Sequence, residues 1–403
     1  MNKTHQPRAT SLNILFCALL ATSIGQSVML TTLPSMGREA GLSEFHIAII
    51  MSSSAFIFAI GTSFWSRVAK HKGYRKLLMV GLAGYSIGTF AFAGMWSLGY
   101  AGVLCGSALF FALLITRSLQ STIMSASPPC AVGYAIRISS DQQRVGAISR
   151  VTSANNVGQL FGPVYAGALV SFGLVTPLYS VVVFTLLAFV LVWRKLPTIQ
   201  TSPSLQSQTN QPTLAKPAKG ITLILVLSCA SIFCAMAMMQ QTLGFFFIDH
   251  YGKSPVQSAQ QVGIAMMLSA ATSLSIQILV VQKARFSADN LIRIALPLLC
   301  VAYLLMFIHQ HIYTLYIAML LMGLGMGMGY PSLAAVATSY CAPENQAKVT
   351  GYITATPAMG YILGPPLAAA LYQGDIHAPF LAASVLLAVF TMIVFFLVRA
   401  KNK

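Results

Sequence analysis

Residues 12–33 read LNILFCALLATSIGQSVMLTTL, a run of 22 residues without a charged side chain. An α-helix of about 20 apolar residues spans the hydrocarbon core of a bilayer and satisfies its own backbone hydrogen bonds there. The run has no small-residue cleavage site and is followed by many similar ones. We therefore expect it to be the first membrane span and not a removed signal peptide.

Similar runs fill the rest of the chain. Of its 403 residues, 56% are apolar and 8% are charged, and the mean hydropathy is +0.75, which excludes an ordinary soluble protein. The predicted fold is an all-α integral membrane protein with twelve transmembrane helices. The runs cover residues 12–34, 45–66, 77–96, 99–124, 147–172, 174–193, 220–247, 260–282, 290–308, 313–340, 350–372 and 378–398.

The runs divide into two sets of six at residues 201–217, which are rich in Ser, Gln, Thr and Pro and read as a flexible linker. We predict an N-terminal bundle over 1–195, a cytoplasmic linker over 196–219 and a C-terminal bundle over 220–403. Residues of the first set recur 202 positions later: Pro129, Gly158, Gly162 and Pro163 correspond to Pro331, Gly360, Gly364 and Pro365. This duplication predicts two pseudo-symmetric bundles that open alternately to either side, as in secondary transporters.

The net charge of +17 is explained by topology. With the N-terminus inside, 21 of the 24 Lys and Arg residues fall in cytoplasmic segments, as the positive-inside rule requires. Both termini are then cytoplasmic, the expected compartment is the cytoplasmic (inner) membrane of a bacterium, and nucleic acid is not an expected partner. The seven cysteines are scattered singly and the histidines have no metal spacing, so we expect neither a metal nor a cofactor.

One cation lies deep in a span, in LLITRSLQS at residues 113–121. Placing Arg117 there costs about 2.5–3.5 kcal/mol on insertion scales, which predicts a partner or a wet cavity. A structural bond to backbone carbonyls is the alternative. Polar side chains embedded in other spans are further candidates for substrate or proton coupling, and some of them will only join helices. They are Gln26, Gln120, Asn155, Asn156, Gln159, Gln240 and Gln241.

Two further motifs flank this span. The loop at residues 66–76 reads SRVAKHKGYRK and obeys the positive-inside rule, and residues 158–167 read GQLFGPVYAG. Small residues four apart allow close helix packing, while the proline removes one helical hydrogen bond.

These motifs resemble the major facilitator superfamily, and within it the twelve-helix drug:proton antiporters. The family patterns are G-x-x-x-D-R-x-G-R-R, L-x-x-x-R-x-x-Q-G and G-x-x-x-G-P-x-x-G-G. In the loop, Gly73, Arg75 and Lys76 match, but Lys70 replaces the acidic residue of the family's gate and Tyr74 an arginine.

The resemblance implies roles for the matching residues. Arg117 would act in proton coupling or substrate contact, with Ser121 replacing the glycine of its motif. Gly158, Gly162, Pro163 and Gly167 would form the exporters' conformational motif. The C-terminal duplicate, Gly360, Gly364 and Pro365, is expected to serve helix packing.

The seven carboxylates all fall in loops or at span ends, so the predicted membrane core holds no anion. A lone buried cation favours a substrate that brings negative charge. The leading interpretation is a proton-coupled exporter of a small organic molecule, expected to act as a monomer. Alternatives are an exporter of an anionic natural metabolite such as a siderophore, an importer, or a polytopic membrane enzyme. The enzyme is disfavoured because no nucleophile or metal-ligand motif occurs.

Overall fold

The computed structural model describes residues 5–198, 220–281, 286–341 and 343–401. Within these ranges all regular elements are helical. Ten helices are long and apolar enough to cross a membrane by length and composition. The predicted all-α membrane fold is confirmed.

Two compact units divide the chain, the first formed by residues 1–206 and 252–263 and the second by 207–251 and 264–403. In unit 1, α4 and the short α5 together make one candidate span. The helices of unit 1 are α1 (His5–Glu39), α2 (Glu44–Lys72), α3 (Tyr74–Tyr100), α4 (Gly106–Met124), α5 (Ser127–Arg137), α6 (Arg144–Leu169) and α7 (Thr176–Lys195).

Unit 2 contains the remaining helices, although the first residues of α9 are grouped with unit 1, where Ser35 Oγ lies 3.1 Å from Ser258 Oγ. The predicted linker lies outside the described residues from position 199 onward. The helices are α8 (Ile221–Asp249), α9 (Pro255–Ile276) with a π-helical continuation (Gln277–Val281), α10 (Ala288–Ile308), α11 (Ile312–Ser339), α12 (Pro343–Tyr372) and α13 (Ala378–Lys401).

Two long helices are not among the ten apolar ones, namely α6 and α12, with 26 and 30 residues. Helix α6 carries Asn155, Asn156 and Gln159, so its composition is more polar than that of a lipid-facing span. Helix α2 shows the opposite pattern: Phe56, Ile60 and Phe64, four residues apart, are 52–56% exposed. Such an apolar stripe suits contact with lipid.

Glycines set the closest helix contacts in unit 1. Helix α1 packs along α6. A Cβ atom added to Gly158 would lie 2.3 Å from Ser23 Cβ, and one added to Gly162 would lie 2.4 Å from Ser27 Cβ. Both distances are shorter than van der Waals contact, so this approach requires glycine.

The same arrangement recurs in unit 2, where α8 packs along α12. A Cβ on Gly360 would lie 2.5 Å from the carbonyl carbon of Phe233, and one on Gly364 would lie 2.7 Å from Ala237 Cβ. Phe233 and Ala237 are each 210 positions after their counterparts in α1, Ser23 and Ser27. The register of the helix pair is therefore the same in the two units, as a duplication predicts.

We expect Gly162→Ala to lower the thermal unfolding midpoint of the purified protein and the monodisperse fraction on size exclusion, because overpacking costs about 1–3 kcal/mol. The matched control is Gly146→Ala in the same helix, where an added Cβ meets nothing within 4 Å. That change should leave the midpoint equal or slightly higher. Equal midpoints for the two variants would contradict the packing role.

Candidate functional site

The site is built around the Arg117 side chain, which is 7% exposed in the middle of α4. Its Nη1 donates to Gln120 Oε1 at 2.5 Å, one helical turn further along α4. Its Nη2 donates to Gln26 Oε1 of α1 at 2.8 Å. The structure thus brings together three of the residues predicted from sequence.

The hydrogen bonds continue away from the guanidinium onto α3. Gln120 Nε2 donates to Thr89 Oγ1 at 2.5 Å, and Thr89 in turn donates to the Tyr85 carbonyl at 2.7 Å. Gln26 Nε2 points to the sulfur of Met124 at 3.3 Å. Because each amide oxygen accepts from the cation and each amide nitrogen donates onward, the network fixes the orientation of both glutamines.

Glycines allow these helices to come close enough for the network. A Cβ on Gly88 of α3 would lie 2.7 Å from Gln120 Cβ, and a Cβ on Gly25 of α1 would lie 2.3 Å from the Tyr85 hydroxyl oxygen. The polar side chains therefore lie between tightly packed helices. Lipid has no access to such a position, and a buried cation needs this arrangement.

The guanidinium has no carboxylate partner among the described residues. Its hydrogen bonds to Gln120 and Gln26 use two of the five N–H donors of an arginine. The nearby Tyr85 hydroxyl, which interacts electrostatically with Arg117, is buried and has no hydrogen-bond partner in the part of the chain that the structure describes. The positive charge is solvated by neutral amides and keeps unused donors, an arrangement that can accept an anionic group.

At the described positions of unit 2 that correspond to Arg117 and Gln120, no charged or amide side chain is present. In unit 1, Ser54 Oγ lies 2.8 Å from Ser121 Oγ. The residue of unit 2 that corresponds to Ser121 is Gly323, and a Cβ added there would lie 2.1 Å from the Ser269 carbonyl oxygen. Gly323 follows Ser121 by 202 residues, the spacing of the sequence repeat. At the same spacing the counterparts of Arg117 and Gln120 are two buried methionines, Met319 and Met322.

The other predicted polar residues lie apart from this network. Ser23 Oγ donates to Asn155 Oδ1 at 2.6 Å, whereas Asn156 and Gln159 are exposed on α6. In unit 2, Gln240 Oε1 accepts from the Tyr361 hydroxyl at 2.7 Å, and its neighbour Gln241 is buried on α8.

The predicted gating loop is a one-residue connection between α2 and α3. Gly73 has a φ of 91°, which favours glycine. Arg75 donates to Thr198 Oγ1 at 2.7 Å and to the Trp193 carbonyl at 2.6 Å, and so ties α3 to the end of α7. Lys76 is exposed.

Tyr74, which departs from the family pattern, has a specific environment. The Arg137 guanidinium lies 5.2 Å from its ring centroid, and a Cβ on Gly133 would lie 2.2 Å from its ring. The tyrosine therefore packs between α3 and α5. At the position where the family pattern has an arginine, this chain therefore has a tyrosine that makes a cation–π contact with Arg137.

The exporter-type motif lies in an unbroken helix. Helix α6 continues through Pro163, and α12 continues through Pro365. A Cβ on Gly167 would lie 3.5 Å from Gly263 Cα, so the last glycine of the motif packs against the start of α9 within unit 1.

Sequence reasoning missed the contribution of α3, which supplies Thr89 and Tyr85. Both lie in a strongly apolar helix, and a threonine or tyrosine there is also a common packing residue. Their spacing of four residues, one helical turn, was the available signal. Among the described residues, no group of three His, Cys, Asp or Glu side chains is arranged to hold a metal ion.

The sequence matches the model of the Major Facilitator Superfamily over residues 15–288 and 283–403. Multidrug resistance protein 2 of Bacillus subtilis (strain 168) is 22% identical over 396 residues, which cover 95% of this chain and 94% of that protein. The Bacillibactin exporter of the same organism is 21% identical over 402 residues, with 95% of each chain covered.

Among solved structures, a bacterial homologue of the human lysosomal transporter Spinster, in an inward-facing and unoccupied conformation, has a similar fold. The TM-score is 0.75 at 14% sequence identity, and the match covers 97% of each chain. At this identity the similarity describes the fold alone.

The network predicts a specific pattern of stabilities. Gln120→Leu leaves part of a buried cation without its acceptor and should lower the free energy of unfolding by about 1–3 kcal/mol. Arg117→Met, which introduces the side chain found at the equivalent position of unit 2, removes the buried charge but leaves the amide oxygens of Gln26 and Gln120 without their donor, so it should also be destabilising. The double variant should recover most of the loss. Thermal unfolding of the purified variants tests this, and a double variant no more stable than Gln120→Leu would contradict it.

Proposed function

We propose that this chain, which belongs to the Major Facilitator Superfamily and is a multi-pass membrane transporter, exports a small organic molecule by proton-coupled alternating access. The substrate class that we favour is an organic anion such as an acidic natural metabolite. The single observation that supports this choice is the buried Arg117 guanidinium with amide partners and no carboxylate among the described residues.

The electrostatics of the site favour an anion over a cationic drug. A cation entering beside Arg117 would meet a like charge in a medium of low dielectric constant. A carboxylate or a similar acidic group would instead form charge-assisted hydrogen bonds with the unused N–H donors. The occupied site would be close to neutral, which costs less in the membrane interior than an uncompensated cation.

The driving force is consistent with outward movement. In a cell that is negative inside, each negative charge that leaves gains about 2.3 kcal/mol per 100 mV, and an entering proton gains the same amount. The sequence contains no phosphate-binding G-x-x-x-x-G-K-[ST] loop, which fits a secondary mechanism. Exchange of an outgoing organic anion for incoming protons would therefore be driven by both the membrane potential and the proton gradient.

A multidrug exporter is the second candidate, because a multidrug resistance protein is a relative over 95% of the chain. The position of the carboxylates argues against a multidrug exporter of cationic drugs. Glu39 and Asp249 end helices α1 and α8, and Glu44 begins α2, so these anions lie at helix ends and not at the depth of Arg117. An importer has less support, since the motif at residues 158–167 resembles that of exporters.

The topology proposed, with both termini in the cytoplasm, can be tested on Cys105, which is exposed in the connection between α3 and α4. We expect a membrane-impermeant maleimide to label Cys105 in intact spheroplasts when it is the sole cysteine. A matched variant with Ser140→Cys as the sole cysteine should be labelled only after permeabilisation, because residue 140 lies in the next connection. Reversed labelling would invert the topology.

Substrate charge is tested with two fluorescent probes, the organic anion fluorescein and the permanent cation ethidium. Cells producing the protein should retain less fluorescein than cells without it. Arg117→Ala should reduce this export about 10- to 100-fold, because it removes one charge-assisted interaction of about 1.5–3 kcal/mol. Its insertion into the membrane should be unchanged.

The control is Asn156→Ala, an exposed polar residue outside the Arg117 network. It should reduce fluorescein export less than Arg117→Ala does. Export of ethidium but not of fluorescein, or full export by Arg117→Ala, would refute the anion assignment.

A further inference from the structure

Three histidines outside the Arg117 network meet at one end of unit 2. His250 follows α8, His309 follows α10, and His377 lies in the connection between α12 and α13. Their ring centroids are separated by 5.0 Å between His250 and His377, 5.7 Å between His250 and His309, and 6.2 Å between His309 and His377. One cluster of titratable rings therefore joins three separate segments, and we call it the histidine cluster.

A buried phenylalanine lies at the centre of the cluster. Phe246 stacks on His250 with centroids 4.8 Å apart and planes at 16°, and its centroid lies 5.2 Å from that of His309 and 5.1 Å from that of His377. Phe380 of α13 packs on the same ring at 5.3 Å. The contacts are aromatic, and they suit neutral imidazoles in an apolar setting.

His309 is held in a form that does not accommodate a second proton. The ring is 4% exposed, and its Nδ1 lies 2.5 Å from the Met306 carbonyl oxygen, so Nδ1 is the donor. Its Nε2 is buried and has no hydrogen-bond partner within the described ranges. A proton on Nε2 would create a buried N–H without an acceptor, next to two other imidazoles.

The charged groups around the cluster only partly offset the cost of protonating its histidines. Asp375 Oδ1 lies 3.3 Å from His377 Nδ1 and accepts its backbone N–H, and Asp249 accepts from the Tyr372 hydroxyl at 2.8 Å. Other titratable groups at this end include Tyr251, which packs on His250 and His309, and Tyr316 of α11, which interacts with Tyr251. Tyr313, which interacts with Tyr316, and His311 lie at the start of α11.

Although His250 is largely exposed, its partial burial against the cluster, followed by the charge of His377, lowers its pKa below the ordinary value. Burial also lowers the pKa of His309, and its bond to the Met306 carbonyl only partly opposes this. A histidine whose pKa is lower in the folded state stabilises the fold above its unfolded-state pKa of about 6.5, and this stabilisation is lost as the pH falls below that value. The pKa of Asp375 is also lowered, mainly by the His377 N–H, so its titration lies well below this window.

We propose that protonation of His250 and His309 releases the packing of α8 and α10 against the α12–α13 connection, so that the histidine cluster is a pH-sensitive latch of unit 2. The proposed topology places it on the outer face, where it is exposed to the pH of the medium. No three His, Cys, Asp or Glu side chains of the described residues are arranged as metal ligands.

Hydrogen–deuterium exchange of the purified full chain in lipid nanodiscs at pH 7.5 and 5.5 tests the latch, after each rate is corrected for the intrinsic pH dependence of exchange. The peptides to follow cover residues 245–251, 306–311 and 373–380. We expect their corrected opening to rise at least threefold at the lower pH, since each imidazole contributes up to about tenfold per pH unit. In His309→Gln, which cannot titrate, the rise should be smaller than half of that in the wild type.

The matched control is His311→Gln, an exposed histidine two positions away that is outside the cluster. It should keep the wild-type response. If His309→Gln is not monodisperse at pH 7.5, His250→Gln replaces it with the same expectation. An unchanged wild type between the two pH values, or an equal rise in the cluster variant and the control, would overturn the proposal. Because exchange needs no substrate, this result is independent of the proposed export.

Discussion

A buried guanidinium that has no carboxylate partner among the described residues constrains the first unit of this protein. Arg117 can stay charged between helices only because Gln26 and Gln120 present their amide oxygens to it and Thr89 extends the chain of hydrogen bonds. Those three side chains come from α1, α4 and α3, so these helices must keep one register. Glycines at the contacts make that register possible. The charge and the packing therefore depend on each other.

The two units show which part of this arrangement belongs to the scaffold. Glycines of α6 meet α1, and glycines of α12 meet α8, at the same relative positions. The charge does not recur, since the counterparts of Arg117 and Gln120 are Met319 and Met322. A duplicated scaffold thus carries its buried cation in one half, and two buried methionines occupy the equivalent positions of the other.

Sequence alone predicted the span pattern, because apolar runs of helical length in lipid leave the backbone few alternatives. It also identified Arg117, Gln26 and Gln120 from the cost of burying polar groups. It could not separate them from Asn156 and Gln159, because hydropathy reports the depth of a residue and not the face of the helix on which it lies. The faces are set by glycine contacts between distant helices. Tyr85 and Thr89 were missed for the same reason, and so was the meeting of three histidines far apart in sequence.

The most direct test of the central claim is untargeted mass spectrometry of the culture medium of the source organism with this gene deleted, restored, or restored as Arg117→Ala. The account predicts that a compound with an acidic group, ionised at neutral pH, disappears from the medium on deletion and returns only with the intact protein. A medium unchanged by deletion, or a compound restored equally by Arg117→Ala, would contradict the claim that Arg117 carries an exported anion.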